Sequence, residues 1–139
     1  MSSTSTSSRS GTPRRQRPLS PHLSIYRLVP TMIASIMHRF TGGALYFGTL
    51  LVAWWLIAAA TGPGAFALAN GVLSSWFGLL VLFVYSWVLM LHMLGGIRHF
   101  LWDMGLYDSK PVSTVLAKAS FAGSAVLTVL IWLIALGVR

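Results

Sequence analysis

HMLGGIRHFLWD, residues 92–103, closes a stretch that begins after Arg39 and has no Asp, Glu, Lys or Arg before Arg98. One bilayer crossing takes about 20 apolar residues, so this stretch is too long for one crossing and fits two. Gly and Pro within residues 61–64 and Asn-Gly at residues 70–71 interrupt it and predict a turn at 61–71. Another uncharged run lies between Lys118 and Arg139. The sequence predicts an all-α transmembrane bundle of three helices, at about 31–60, 72–102 and 114–138.

The distribution of charge predicts how the chain is organised across the membrane. Residues 1–16 are rich in Ser, Thr and Arg without an apolar period, and we expect a disordered tail there. Residues 17–30 contain three prolines and are predicted to form an extended lead-in to the domain at residues 31–139. Basic residues lie before the first helix and after the second, whereas residues 61–71 are uncharged. The positive-inside rule therefore predicts a multi-pass protein of an inner (cytoplasmic) membrane with a cytoplasmic N-terminus.

Composition excludes several classes of function. Hydrophobic residues make up 55% of the chain and charged residues 9%. The net charge of +8 does not indicate a nucleic-acid partner, because the basic residues follow membrane topology; near the tail they suit anionic lipid. The chain has no cysteine, which excludes disulfides, thiolate-held iron–sulfur clusters and covalently attached c-type haem within it.

A histidine lies within the second predicted helix. Ionisable side chains at membrane depth are costly and usually functional. Helical spacing places His92 on one stripe with Gly95, Gly96 and His99, and the two glycines leave room for a large flat group such as a haem. From the residues alone, His92 is equally compatible with a ligand and with a histidine that hydrogen-bonds between helices, and the glycines with close helix packing.

A second polar stripe lies on the first helix. Ser35, His38, Arg39, Gly42 and Tyr46 share a face, at the depth that the end of the second helix reaches. A buried arginine needs a carboxylate, propionate or carbonyl partner, and Ser and His beside it could hydrogen-bond a quinone carbonyl. The other interpretation is that the arginines near the helix ends extend their charged groups to lipid headgroups.

Three sequence elements in order carry a family resemblance. They are RPLSPHLSIY at residues 17–26, SIMHRFTG at residues 35–42 and HMLGGIRHFLWD at residues 92–103. With them the chain resembles the cytochrome b (C-type) membrane-anchor subunit of succinate dehydrogenase, respiratory complex II. The resemblance covers about residues 17–139 and agrees with three transmembrane helices at this spacing.

The resemblance implies roles for individual residues. His92 matches the axial ligand of haem b, which makes it the metal ligand. His38 and Arg39 match groups near the haem propionates, and Ser35 and Arg39 match residues at the ubiquinone site. The family also implies a second small membrane-anchor subunit that supplies the other axial histidine, together with an iron–sulfur subunit and a flavoprotein subunit on the cytoplasmic face. The chain would then be a subunit of succinate:quinone oxidoreductase that catalyses nothing alone.

Depth along the helices bears on the second haem ligand. His92 lies about 16 Å and His38 about 10 Å from the cytoplasmic ends of their predicted helices, at 1.5 Å per residue. A haem held by both would have to tilt, so an external histidine is the simpler solution. Two alternatives remain: a haem-free membrane anchor or small transporter, and a fumarate-reductase-type quinol oxidoreductase subunit, which would need more buried histidines.

Overall fold

The computed structural model describes residues 18–107 and 109–138, which form helices and connecting segments without a β-strand. The helices, in chain order, are α1 (Pro30–Thr61), α2 (Pro63–Ser74), α3 (Trp76–Asp103) and α4 (Lys110–Gly137). Helices α1, α3 and α4 are long and apolar enough to cross a membrane. The predicted all-α bundle with three spanning helices is therefore confirmed. The predicted tail, residues 1–16, lies outside the described residues.

The prediction of a turn at residues 61–71 is wrong, because most of this segment belongs to α2. Gly62 adopts φ 142°, which glycine tolerates, and separates α1 from Pro63 in the first turn of α2. The apolar residues between the turn signals then pack, and Ala69 is fully buried. Ser75 ends the segment by capping α3: its Oγ accepts a hydrogen bond from the Gly78 N–H at 3.1 Å. As a result, α3 begins at residue 76 rather than 72.

The interior of the bundle is built from small side chains. Small residues let helix backbones approach closely where no hydrophobic effect drives association in lipid. The hydroxyls among them bond to their own helix; for example, Thr128 Oγ1 donates to the Ser124 carbonyl at 2.7 Å. Large apolar side chains instead cover the outside, as expected in hydrocarbon. The buried positions of α1 and α4 are Ala34, Thr41, Gly48, Ala58, Ser113, Ala117, Ser120, Ser124 and Thr128.

Helices α1 and α3 run antiparallel, which places the N-terminal part of α1 beside the C-terminal part of α3. His38 contacts His92 and His99 near this end, and Gly48 packs against Tyr85 further along. Helix α3 stops in a Schellman motif, in which Gly105 has φ 71° and the Leu106 N–H donates to the Leu101 carbonyl at 2.9 Å. The chain then returns as α4, which begins at residue 110 rather than at the predicted 114.

Candidate functional site

His92 is held at one of its ring nitrogens by α1. Its Nδ1 lies 3.1 Å from Thr41 Oγ1 and 3.2 Å from the main-chain carbonyl oxygen of His38. A carbonyl oxygen only accepts hydrogen bonds, so Nδ1 carries the proton. The lone pair is then on Nε2. This is the form of histidine that binds a metal through Nε2 while its other nitrogen is fixed by a hydrogen-bond acceptor.

Three histidines lie together at this point, and we call His38, His92 and His99 the histidine cluster. The rings of His38 and His92 stack with centroids 4.1 Å apart and planes 10° from parallel. The His99 ring lies 5.0 Å from that of His38. Two imidazoles that share one haem iron lie on opposite faces of the macrocycle, so rings in parallel contact cannot both be its ligands.

The space beside Gly95 is filled by the imidazole of His38. A Cβ atom built on Gly95 would lie 2.5 Å from His38 Nδ1, and one on Gly42 would lie 3.1 Å from His92 Cε1. A Cβ on Gly96 would have its nearest neighbour, His38 Cε1, at 4.0 Å. Gly42 and Gly95 therefore let the two helices and their histidines approach, and only Gly96 leaves space next to the cluster.

The lack of space beside Gly95 predicts that a larger residue there lowers the stability of the protein. Gly95→Ala should displace His38 and destabilise the protein by about 1–3 kcal/mol, the usual cost of overpacking. The matched control is Gly71→Ala, because Gly71 also lies within a helix and a Cβ there would meet nothing within 4 Å. Thermal unfolding of the detergent-solubilised protein measures the difference. Equal midpoints for the two variants would contradict the close contact between Gly95 and His38.

Arg98 lies inside the bundle rather than at the lipid surface. Its side chain is only 2% exposed, which argues against the interpretation that it reaches lipid headgroups. Its guanidinium carbon lies 4.9 Å from the centroid of the Trp102 ring, within the range of a cation–π contact. Among the described residues, no hydrogen-bond acceptor reaches its three nitrogens. Arg98 is not among the site residues predicted from the sequence.

Ala34, Thr41 and Gly48 are buried on one face of α1, which we call the buried stripe. Ser35 and Arg39 lie on a different face. Arg39 is exposed and Ser35 is half-buried, so the structure places neither inside the chain's own bundle. Tyr46, predicted on the same face, is 73% exposed. Arg39 forms the one charged part of a surface groove with apolar walls, which we call the Arg39 groove. Its residues are Ile36, Arg39, Phe40, Gly43, Ala44 and Phe47.

A more enclosed cavity, of about 320 Å³, lies between α1, α2 and α3. Its lining runs from Gly48 to Trp55 on α1, about three to five helical turns beyond His38. No histidine, arginine or carboxylate lines it. Among the described residues, the histidines and arginines therefore gather at the other end of the bundle, around the histidine cluster.

The sequence matches one protein family and is similar to named members of it. The family described as "Succinate dehydrogenase/Fumarate reductase transmembrane subunit" matches residues 13–131. The chain is 48% identical to the succinate dehydrogenase cytochrome b556 subunit of Paracoccus denitrificans, over 84% of this chain and 90% of that protein. It is 38% identical to the mitochondrial cytochrome b560 subunit of Homo sapiens, over 78% of this chain and 70% of the relative. The chain is therefore a multi-pass membrane protein that belongs to the succinate dehydrogenase/fumarate reductase transmembrane subunit family.

Proposed function

We propose that this chain is the cytochrome b membrane anchor of a succinate dehydrogenase, which binds haem b through His92 and helps to form a site of ubiquinone reduction. The observation that carries the haem assignment is the hydrogen bonding of His92. Its Nδ1–H is held by Thr41 and the His38 carbonyl, which leaves Nε2 for iron. The named relatives are cytochrome b subunits, which supports the same assignment.

The residues fit a b-type haem better than a metal ion held by the protein alone. Within the described residues no group of three or more His, Cys, Asp or Glu side chains, the histidine cluster included, is arranged to hold a metal ion. Iron in a porphyrin needs from the protein only its axial ligands. His92 would supply one, and a histidine of a second small membrane-anchor subunit the other, because His38 is stacked against His92. His38 and Arg39 would hold the propionates.

At the quinone, the chain would position its substrate and neutralise charge. Ser35 would donate a hydrogen bond to a ubiquinone carbonyl, and the Arg39 guanidinium would stabilise the negative charge that develops as two electrons and two protons convert ubiquinone to ubiquinol. Bound haem would supply one-electron redox chemistry beside this site. The Arg39 groove, apolar with a single cation, has the composition of a small-molecule site. Because it is open, neighbouring subunits would complete its walls.

The electrons would come from other subunits. In this proposal a flavoprotein subunit oxidises succinate and an iron–sulfur subunit carries the electrons, since this chain has no cysteine and only two acidic residues. These subunits would dock at the end of the bundle that carries the histidine cluster. We place this end on the cytoplasmic side of the inner (cytoplasmic) membrane, together with the N-terminus.

Purification in mild detergent with co-expressed partners tests this function. The preparation should contain the four subunits and show the reduced-minus-oxidised α-band of one b-type haem. A complex without an α-band would favour a haem-free anchor, and two haems per complex would favour the fumarate-reductase-type alternative. Either result would contradict the proposal.

Topology is testable independently of haem. Reporter domains fused after Arg139 or inserted at Gly62 should be extracytoplasmic, and one inserted in the segment between α3 and α4 should be cytoplasmic. The reason is that basic residues precede α1 and follow α3, whereas the junction of α1 and α2 has none. Accessibility of the three reporters in intact cells gives the answer. The reverse pattern would place the histidine cluster near the outer surface and contradict the proposed docking side.

A further inference from the structure

Thr41 has a contact that neither its position in the sequence nor the family assignment explains. It is 2% exposed and belongs to the buried stripe of α1. Its hydroxyl donates to the His38 carbonyl one turn earlier, at 2.9 Å, and the same oxygen lies 3.1 Å from His92 Nδ1. Since the only hydroxyl proton is directed at the carbonyl, Oγ1 accepts from Nδ1–H. Thr41 Oγ1, the His38 carbonyl oxygen and His92 Nδ1 thus form a closed triangle.

We propose that Thr41 is a positioning residue that, together with the His38 carbonyl, holds the ring orientation of His92 and thereby lowers the reduction potential of the haem. This inference rests on the proposed function, in which His92 Nε2 is an axial ligand. An acceptor on the far nitrogen of a metal-bound histidine fixes its orientation and makes it a more basic ligand. A more basic ligand favours ferric over ferrous iron, because the ferric ion carries more positive charge. Thr41 therefore lowers the potential.

Another threonine of α1, Thr49, shows that a hydroxyl on this helix can bond to the preceding turn without a histidine as partner. Thr49 Oγ1 donates to the Tyr46 carbonyl at 2.6 Å, the same bond to the preceding turn, but Thr49 is exposed. If Thr41 served only its own helix, replacing either threonine would leave the haem potential unchanged. A change in the potential at position 41 alone therefore reports the contact with His92 rather than the bond to the preceding turn.

The test uses the complete complex and three substitutions. Thr41→Val keeps the shape of the side chain and removes one of the two oxygens that accept from His92 Nδ1–H, the other being the His38 carbonyl. Thr41→Ser keeps both oxygens, and Thr49→Val is the control on the same helix. Potentiometric titration of the b-type absorption gives the potential, and electron paramagnetic resonance of the oxidised haem reports the ligand environment. Thr41→Val should raise the ratio of reduced to oxidised haem at a fixed ambient potential about two- to tenfold, the equivalent of one neutral hydrogen bond. Thr41→Ser and Thr49→Val should behave as the unaltered protein.

The outcomes separate this inference from the function on which it rests. An unchanged potential and resonance signal in Thr41→Val, with full haem content, would overturn the role of Thr41 and leave His92 as ligand. Absence of haem from the unaltered complex would overturn both. If Thr41→Val does not assemble, Thr41→Ala removes the same oxygen without adding volume. Loss of the assembled complex in both variants, with Ser assembling, would assign Thr41 a structural role and also overturn the proposal.

Discussion

The complex with His92→Gly should lose its b-type absorption and regain it when imidazole is added. Removing an axial ligand should weaken haem binding by more than the roughly 10–100-fold typical of residues that only orient a metal ligand. His38 should not replace it, because His38 extends from α1 and its imidazole is packed against Gly95. The truncated side chain leaves space that free imidazole can fill, with Thr41 and the His38 carbonyl still present to accept its N–H. Optical spectra and haem-to-subunit ratios of the purified complex measure both steps.

A histidine of the same cluster serves as control for this substitution. His99 lies one ring away, at 5.0 Å from His38 and 5.3 Å from Trp102, and no hydrogen bond joins it to Thr41. His99→Gln should keep the haem. A full haem content in His92→Gly without imidazole would reject His92 as the ligand. Equal haem loss in His92→Gly and His99→Gln would mean that any disturbance of the cluster releases haem, which would also remove support for a specific ligand.

The spanning helices were predictable because the membrane imposes a simple requirement. A run without charge must be long enough to cross and must be broken where the chain turns, and both signals are in the sequence. Helix α2 was not predicted, because Gly62, Pro63 and the Asn70-Gly71 pair are typical of turns. These signals were given more weight than the apolar residues between them. Those signals end α1 correctly. They do not determine whether the chain between them stays irregular; in the structure it is helical and packs against α1 and α3.

The meeting of the stripes that carry His38 and His92 was predictable, but the rotation of α1 was not. Helical spacing groups Ser35, His38 and Arg39 on one face without specifying what that face contacts. In the structure the small residues Ala34, Thr41 and Gly48 face inward, which turns Arg39 to the outside and brings Thr41 to His92. The seven-residue spacing of these small side chains was the signal for the buried stripe, since close packing of membrane helices selects small residues.

The burial of Arg98 was also not predictable from the sequence. Its place near a helix end allows either a buried ion or a side chain extended to lipid headgroups, and the sequence does not choose between them. Gly95, three residues earlier on α3, is buried and marks the side of the helix that faces the bundle. Arg98 lies on the same side. A charged group is therefore buried inside the bundle beside the Trp102 ring, an arrangement that depends on tertiary packing rather than on local composition.

Arg39→Leu should abolish most ubiquinone-linked turnover while leaving succinate oxidation with an artificial electron acceptor unchanged. Loss of a charge-assisted hydrogen bond costs about 1.5–3 kcal/mol, or roughly a 10- to 150-fold fall in rate if the bond forms in the transition state. Ser35→Ala should have a smaller effect of about 0.5–1.5 kcal/mol, roughly two- to tenfold, and should keep the haem spectrum. Arg27→Leu is the control, because Arg27 is an exposed arginine that precedes α1.

The comparison of acceptors is informative because the two reactions use different parts of the complex. Succinate oxidation with an artificial acceptor would need only the flavoprotein and iron–sulfur subunits, whereas ubiquinone reduction would need the face of α1 that carries Ser35 and Arg39. Arg39 is exposed in this chain, so its replacement leaves no unpaired buried charge and should not disturb the bundle. A selective loss of ubiquinone reduction therefore supports a pocket at the Arg39 groove. A parallel fall of both rates would show that Arg39 holds the subunits together, and the quinone assignment would fail.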